Sequence, residues 1–195
     1  MRNQLYFINR GGIILPMKKI SVYFFVVLTL IIFVSCDKLQ PQSIKANLYV
    51  GQKLSVGIIG EAPEVRERQV KLVRINFSDL EKEGIDSQYD AIFITKDNLS
   101  EAAQKKYKLI YKKSKIPFFF IENKKSCVPF TEENLSYEEV PDLEQQAYIS
   151  GFMYKDNKLN SWGFDLNYND IDNEANIEEF YSKIFEIISK NKTSK

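Results

Sequence analysis

The sequence predicts a single three-layer α/β domain, in which a mixed, mainly parallel sheet of about five or six strands carries a C-terminal β-hairpin and a closing C-terminal helix. Three observations carry that expectation. Apolar runs at Tyr89–Thr95 and Ile116–Glu122 flank a segment of helical periodicity, the pattern of a β-α-β crossover, which requires two parallel strands joined right-handedly. Gln146–Lys155 and Leu159–Leu166 alternate apolar and polar residues on either side of Asp156-Asn157-Lys158, as an antiparallel hairpin does. Near the C-terminus Ile177, Phe180, Tyr181, Ile184, Ile187 and Ile188 recur at helical spacing and form a broad apolar stripe.

Taken in order, the first ordered segment starts near Tyr49. Leu54–Gly60, LSVGIIG, is a short β-rich apolar run closed by Gly, as expected of a strand buried on both faces. Pro63–Arg68 has room for a helical turn. Val70–Phe77 sets Val70, Leu72, Ile75 and Phe77 against Lys71, Arg74 and Asn76, which suits a more exposed strand. After the Tyr89–Thr95 strand, Asn98 with Glu101 three residues on forms a variant capping box for a helix carrying Leu99, Ala103, Tyr107 and Ile110. Lys112, Lys113 and Lys115 crowd its C-terminal end, where the helix dipole favours cations, and Pro117 stops it. The acidic stretch from Glu132 to Glu144, punctuated by Pro129 and Pro141, reads as a surface loop with one short helix. Asn176 with Glu179 is the expected cap of the last helix, and Lys190, Lys192 and Lys195 belong to a solvated tail.

Composition then narrows the chemistry. The 195 residues include no His and two Cys, so Ser-His-Asp triads, Cys-His dyads and HExxH zinc sites cannot be built from this chain. Two cysteines hold neither a four-cysteine zinc site nor an iron-sulfur cluster. With 27 basic and 26 acidic side chains there is no electrostatic pull toward nucleic acid, and 44% hydrophobic residues is too many for a disordered chain. No nucleotide motif follows Gly60, neither GxGxxG nor GxxxxGK[ST]. The expectation is accordingly of no cofactor and no nucleic-acid partner.

The first 36 residues contain Arg2, Arg10, Lys18 and Lys19 and no acidic group, and Ile20–Cys36, ISVYFFVVLTLIIFVSC, is apolar apart from Ser, Thr and one Tyr. A positive stub before an apolar run is the pattern of an export signal. As a helix the run would span roughly 26 Å, close enough to the ~30 Å hydrocarbon core that length alone fits both a signal peptide and a short anchor. Phe33-Val34-Ser35-Cys36 closes it with a small residue directly before a cysteine, and Asp37-Lys38 follows. Met17 to Cys36 resembles the lipobox signal of bacterial lipoproteins, although Phe33 stands where that family usually has Leu. The resemblance implies a lipid on Cys36, which becomes the mature N-terminus, and a location on the extracytoplasmic side of the cell membrane. A complete signal begins at Met17, so residues 1–16 read as an upstream extension, the alternative being a long, positively charged n-region. The expected organisation is 1–16 extension, 17–35 signal peptide, 36–48 lipidated tether, 49–190 α/β domain and 191–195 polar tail. Without residues 1–36 the chain carries 23 basic and 26 acidic groups, a charge near −3.

In open α/β sheets ligands bind outside the carboxyl ends of parallel strands. Those positions here make Glu61, Lys96, Asp97, Glu122 and Lys124 the candidate ligand-binding residues, a mixed set suited to a small charged or zwitterionic molecule; polar loops at strand ends are also what solvent alone would select. The run from Tyr89 to Glu122 loosely resembles the β-α-β units of periplasmic-binding-protein and other Rossmann-like domains, which implies a fold class and little about a ligand. Asp165, Asn167, Asn169, Asp170, Asp172 and Glu174 look like a calcium loop but place Asp170 where an EF-hand needs Gly and Asn176 where it needs Glu. Cys127 lies near Lys124 and Lys125, which would favour a thiolate, though a structural cysteine is the plainer expectation. Trp162, Phe164, Tyr148, Phe152 and Tyr154 form either an aromatic face or core packing against the last helix. The expected function is a non-catalytic binding or accessory module of the cell envelope, with a membrane as partner through Cys36 and an envelope protein or small ligand as a second. The rivals are an envelope enzyme using carboxylate, Lys or Tyr chemistry and a small-ligand receptor.

Overall fold

The computed structural model describes residues 47–143, 147–166 and 174–192. Cys36, the segment expected to be an export signal and most of the expected tether lie outside them. The described strands are β1 (Leu54–Ile59), β2 (Val70–Arg74), β3 (Ala91–Ile94), β4 (Phe118–Ile121), β5 (Ala147–Lys155) and β6 (Lys158–Asp165). They form one sheet in the order β2-β1-β3-β4-β5-β6, parallel as far as β4 and antiparallel beyond it. The α/β class, the crossover between β3 and β4 and the closing hairpin are thus as the sequence predicts.

Strand alternation sorts the apolar side chains of β1, β3 and β4 onto two faces. Ile92, Ile94, Phe118 and Phe120 pack against Tyr107 and Tyr111 of helix α4 (Lys105–Lys113) and Phe130 of α5 (Val128–Thr131), along with the short helices α1 (Phe77–Leu80), α2 (Ile85–Gln88) and α3 (Leu99–Ala102). Val56, Ile58, Phe93 and Phe119 face Tyr181, Ile184, Phe185 and Ile188 of α6 (Glu174–Asn191). Burying each of these large side chains contributes about 1.5–3 kcal/mol, so two filled faces make the sheet the centre of the domain. Gly151 of β5 is set opposite Phe119, and a Cβ there would enter the phenyl ring; its absence lets the antiparallel strand close on β4.

Several local expectations need correcting, the first being the strand expected over Val70–Phe77, which stops at Arg74 because Phe77 opens α1. The helix expected from Asn98 onward is interrupted: Gln104 is extended at ψ 143°, and α3 and α4 are separate. Two tyrosines account for the break, because the Tyr111 hydroxyl donates to the Ala102 carbonyl (3.0 Å) and the Tyr107 hydroxyl to Glu101 (3.1 Å). Glu101 is thereby drawn away from Asn98, which makes no side-chain cap. The equivalent arrangement occurs instead at Asn76, whose N–H donates to Asp79 at the start of α1 (2.8 Å). Pro63–Arg68 is not helical, since its side chains are committed to α6 rather than to a local turn. Asn176 lies inside α6 rather than at its cap, and Glu179 pairs with Lys183 (2.6 Å). The hairpin turn needs only Asp156 and Asn157, at φ 52° and 60°, because both residue types tolerate the left-handed region that such two-residue turns demand. Finally, Lys192 is not part of a solvated tail: its ammonium donates to Asp90 (3.0 Å) and to the Lys53 carbonyl (2.9 Å).

Among the described residues no helix is long and apolar enough to cross a membrane. The aromatic residues of the hairpin divide between the faces. Tyr148 and Phe164 lie against Phe180 of α6, and Trp162 stacks on Phe119 at 5.7 Å, whereas Phe152 and Tyr154 belong to the opposite layer.

Candidate functional site

The chain leaves β1 to one side to form β2, then crosses back over β1 to form β3, so the loops after β1 and β3 diverge. In open sheets that divergence opens a crevice at the carboxyl ends. Here Gly60 ends β1 at φ 107°, a conformation that side chains rarely adopt, and a Cβ would collide with the Thr95 hydroxyl and the Asn98 amide. The chain can therefore turn sharply beneath the end of β3. Thr95 is tied to the same place, its backbone N–H donating to the Ile59 carbonyl at 3.1 Å.

The end of β4 is set by a buried knot. Asn123, fully excluded from solvent, donates its amide to Ser150 Oγ (2.6 Å) and the Lys125 carbonyl (2.7 Å) and accepts from Tyr137 Oη (3.0 Å). Its backbone N–H donates to the Tyr148 carbonyl at 2.9 Å. Glu122, immediately before it, takes φ 54°, uncommon for a residue with a side chain.

The far wall comes from α6 and the loop after β1. Arg66 pairs with Glu178 at 3.1 Å, and Ser182 Oγ donates to the buried carboxylate of Glu67 at 2.5 Å. Between these walls lies a cleft of about 710 Å³. The β1 loop supplies Glu61, Ala62, Glu64 and Arg66, while the ends of β3 and β4 supply Thr95, Lys96, Asp97 and Glu122. Tyr148 of β5, with Ile177, Glu178 and Tyr181 of α6, completes the lining. Lys96 and Glu122 lie 3.9 Å apart, both largely exposed, so solvent screening leaves their attraction small. Burial, with Tyr148 and Glu122 nearby, holds the Tyr181 hydroxyl well above the usual tyrosine range, so it remains protonated.

Four of the five strand-end residues named from sequence, Glu61, Lys96, Asp97 and Glu122, line this one cleft, and Lys124 does not. Sequence reasoning missed Arg66, Glu178 and Tyr181. The α6 pair is invisible there because helical spacing shows Tyr181 only as part of an apolar stripe and carries no information about which strand end the helix crosses. It also missed Lys108, which is 4% exposed and pins the acidic loop by donating to the carbonyls of Glu132 (2.6 Å) and Leu135 (2.5 Å). Burial lowers the pKa of that lysine, and the nearby Glu132, Glu139 and Glu133 oppose the shift. Among the described residues no three His, Cys, Asp or Glu side chains lie close enough to hold a metal ion. Most of the calcium-like run, from Asn167 to Asn173, is outside them.

Cys127 is outside the cleft. Burial pushes its thiol up to about 11, and its Sγ donates to the Gly151 carbonyl at 3.4 Å. Lys125, expected to favour a thiolate, is instead turned onto the Val140 carbonyl and Asp142. At pH 8 the thiolate fraction is then about a hundredfold below that of an ordinary cysteine, and iodoacetamide should label Cys127 correspondingly slowly in native protein and fast in urea. Equal rates in both would show that the thiol is open. Because the folded pKa is raised, stability from this group is fully present below pH 9 and is lost as pH rises toward 11. Tyr137, pushed up to about 12 by burial, contributes with the same sign at higher pH.

The fold and site together define an α/β domain with a polar cleft at the point where its strand order reverses. No protein-family model matches the chain, and no characterised protein or solved structure does either.

Proposed function

We propose that this is a membrane-anchored exported lipoprotein whose α/β domain binds a small charged ligand non-covalently in the switch-point cleft. The observation that carries the binding part is the convergence of three parallel strand ends and α6 on one cleft of about 710 Å³, the size range of small-molecule sites. The donor set favours binding over catalysis. Thr95, the one aliphatic hydroxyl among the described lining residues, is turned toward the Ile59 carbonyl (3.4 Å), and the chain has no imidazole to serve as its base. The anchoring part rests on the Met17–Cys36 pattern.

Two measurements test the reading. Full-length protein in detergent, screened by thermal shift against ions, sugars and amino acids, should be stabilised by some members, and Ala62→Trp should abolish the shift by filling the cleft. Stabilisation that survives Ala62→Trp, or none at all, would remove the cleft from consideration. In cells, Cys36→Ala should abolish palmitate labelling and membrane retention; retention without labelling would favour an uncleaved anchor helix.

A further inference from the structure

The cleft is electrostatically one-sided. Among the described residues five carboxylates line it, Glu61, Glu64, Asp97, Glu122 and Glu178, against two cations. Both cations already face an acid: Arg66 is held by Glu178 at 3.1 Å and Lys96 stands 3.9 Å from Glu122. Glu61, Glu64 and Asp97 make no ion pair or hydrogen bond with any described residue. A concave surface lined by one sign of charge focuses its field and concentrates counter-ions, and here that sign is negative.

A second observation is independent of the acids. Tyr181 is 2% exposed and lines the cleft, yet its hydroxyl has no hydrogen-bond partner among the described residues. Its ring is fixed by Phe93 (6.2 Å) and Phe185 (6.4 Å), so the phenol cannot swing away to find one. The neighbours that act on this hydroxyl, Tyr148 and Glu122, are themselves cleft residues, which places it at the cleft floor. The ring is buried while the hydroxyl end is open to the cleft, so it is free to donate to a polar ligand group there.

The dispersal of the acids sets the size of the cation. No three of the described carboxylates converge on a metal-sized point. A carbon framework can present an ammonium to the rim and an acceptor to Tyr181 at once, and aromatic faces beside the site add attraction for a positive group. We propose that the cleft takes a small organic cation, a molecule with a protonated amine met by Glu61, Glu64 and Asp97 and a polar acceptor met by the Tyr181 hydroxyl. This rests on the cleft being the binding site.

The test compares probes matched in shape and different in charge. Tyramine, glucosamine and 1,4-diaminobutane are titrated into the full chain in neutral detergent, followed by ligand-observed NMR. Their counterparts are tyrosol and 4-hydroxyphenylacetate, glucose and glucuronate, and 1,4-butanediol and succinate. At least one amine should bind ten or more times tighter than its neutral and acidic counterparts, weakening with salt. Glu61→Gln combined with Asp97→Asn should lower its affinity at least tenfold, Tyr181→Phe severalfold, and the remote Glu186→Gln not at all. Both rim residues are exposed, and circular dichroism confirms that the variants fold. Binding of a neutral or acidic counterpart as tight as the amine, blocked by Ala62→Trp, would overturn the cation while leaving the cleft as the site. Amine binding indifferent to Ala62→Trp would also overturn it, and no binding by any probe would overturn both readings.

Discussion

Phe120→Ala should destabilise the domain by about 3–5 kcal/mol, the range for truncating a fully buried aromatic. Phe120 is fully buried at the centre of one sheet face, its ring stacked on Phe130 at 3.6 Å and on Phe152 at 5.6 Å, with Tyr111 at 5.9 Å. These partners come from α5, β5 and α4, so the cavity cannot be closed by moving one side chain. Against a total stability of about 5–15 kcal/mol the loss is large. Urea unfolding should show the midpoint fall with an unchanged slope. Cys127, next to α5, should become easier to alkylate in the same variant. A loss below about 1 kcal/mol would mean that Phe130 collapses into the space and that the layer is far more plastic than its packing implies.

Lys192→Met should cost about 2–3 kcal/mol, although the residue sits at the end of the chain. Asp90 is buried at the start of β3, with its side chain 3% exposed, and accepts from Ser55 N–H (2.8 Å) as well as from the Lys192 ammonium. Removing the ammonium takes an ion pair and a charge-assisted hydrogen bond from a buried carboxylate. The figure lies below the usual 3–5 kcal/mol for a fully buried pair because the lysine is 23% exposed. Adding Asp90→Asn should recover much of the loss, since the amide oxygen still accepts from Ser55 while the charge is gone. A double-mutant cycle by urea unfolding measures the coupling. If Lys192→Met alone unfolds within about 0.5 kcal/mol of the parent, the tail is merely solvated.

How far the sequence reaches is clear from particular residues. Period-two and helical patterns are local signals, so the β-α-β unit, the hairpin and the last helix were all readable, as was the rule that sends attention to Glu61, Lys96, Asp97 and Glu122. What was not readable depends on partners distant in sequence. Glu101 belongs to Tyr107 and not to Asn98 because the tyrosine's position is set by packing on Phe77. Lys108 looks like its solvated neighbours Lys105 and Lys112 until a loop more than twenty residues away supplies two carbonyls. Tyr181 reads as core, and it is core by burial, but its hydroxyl end belongs to the cleft.

The second face of the sheet is roofed by one element, and that element follows all six described strands in the chain. All six strands are complete by Asp165, yet Val56, Ile58, Phe93, Phe119 and Ile121 stay uncovered until Tyr181, Ile184, Phe185 and Ile188 arrive. A chain emerging from the ribosome N-terminus first therefore carries an open apolar surface until α6 emerges, and the packed fold is unreachable before then. Residue order alone thus keeps one apolar face of the sheet open until α6 has been made.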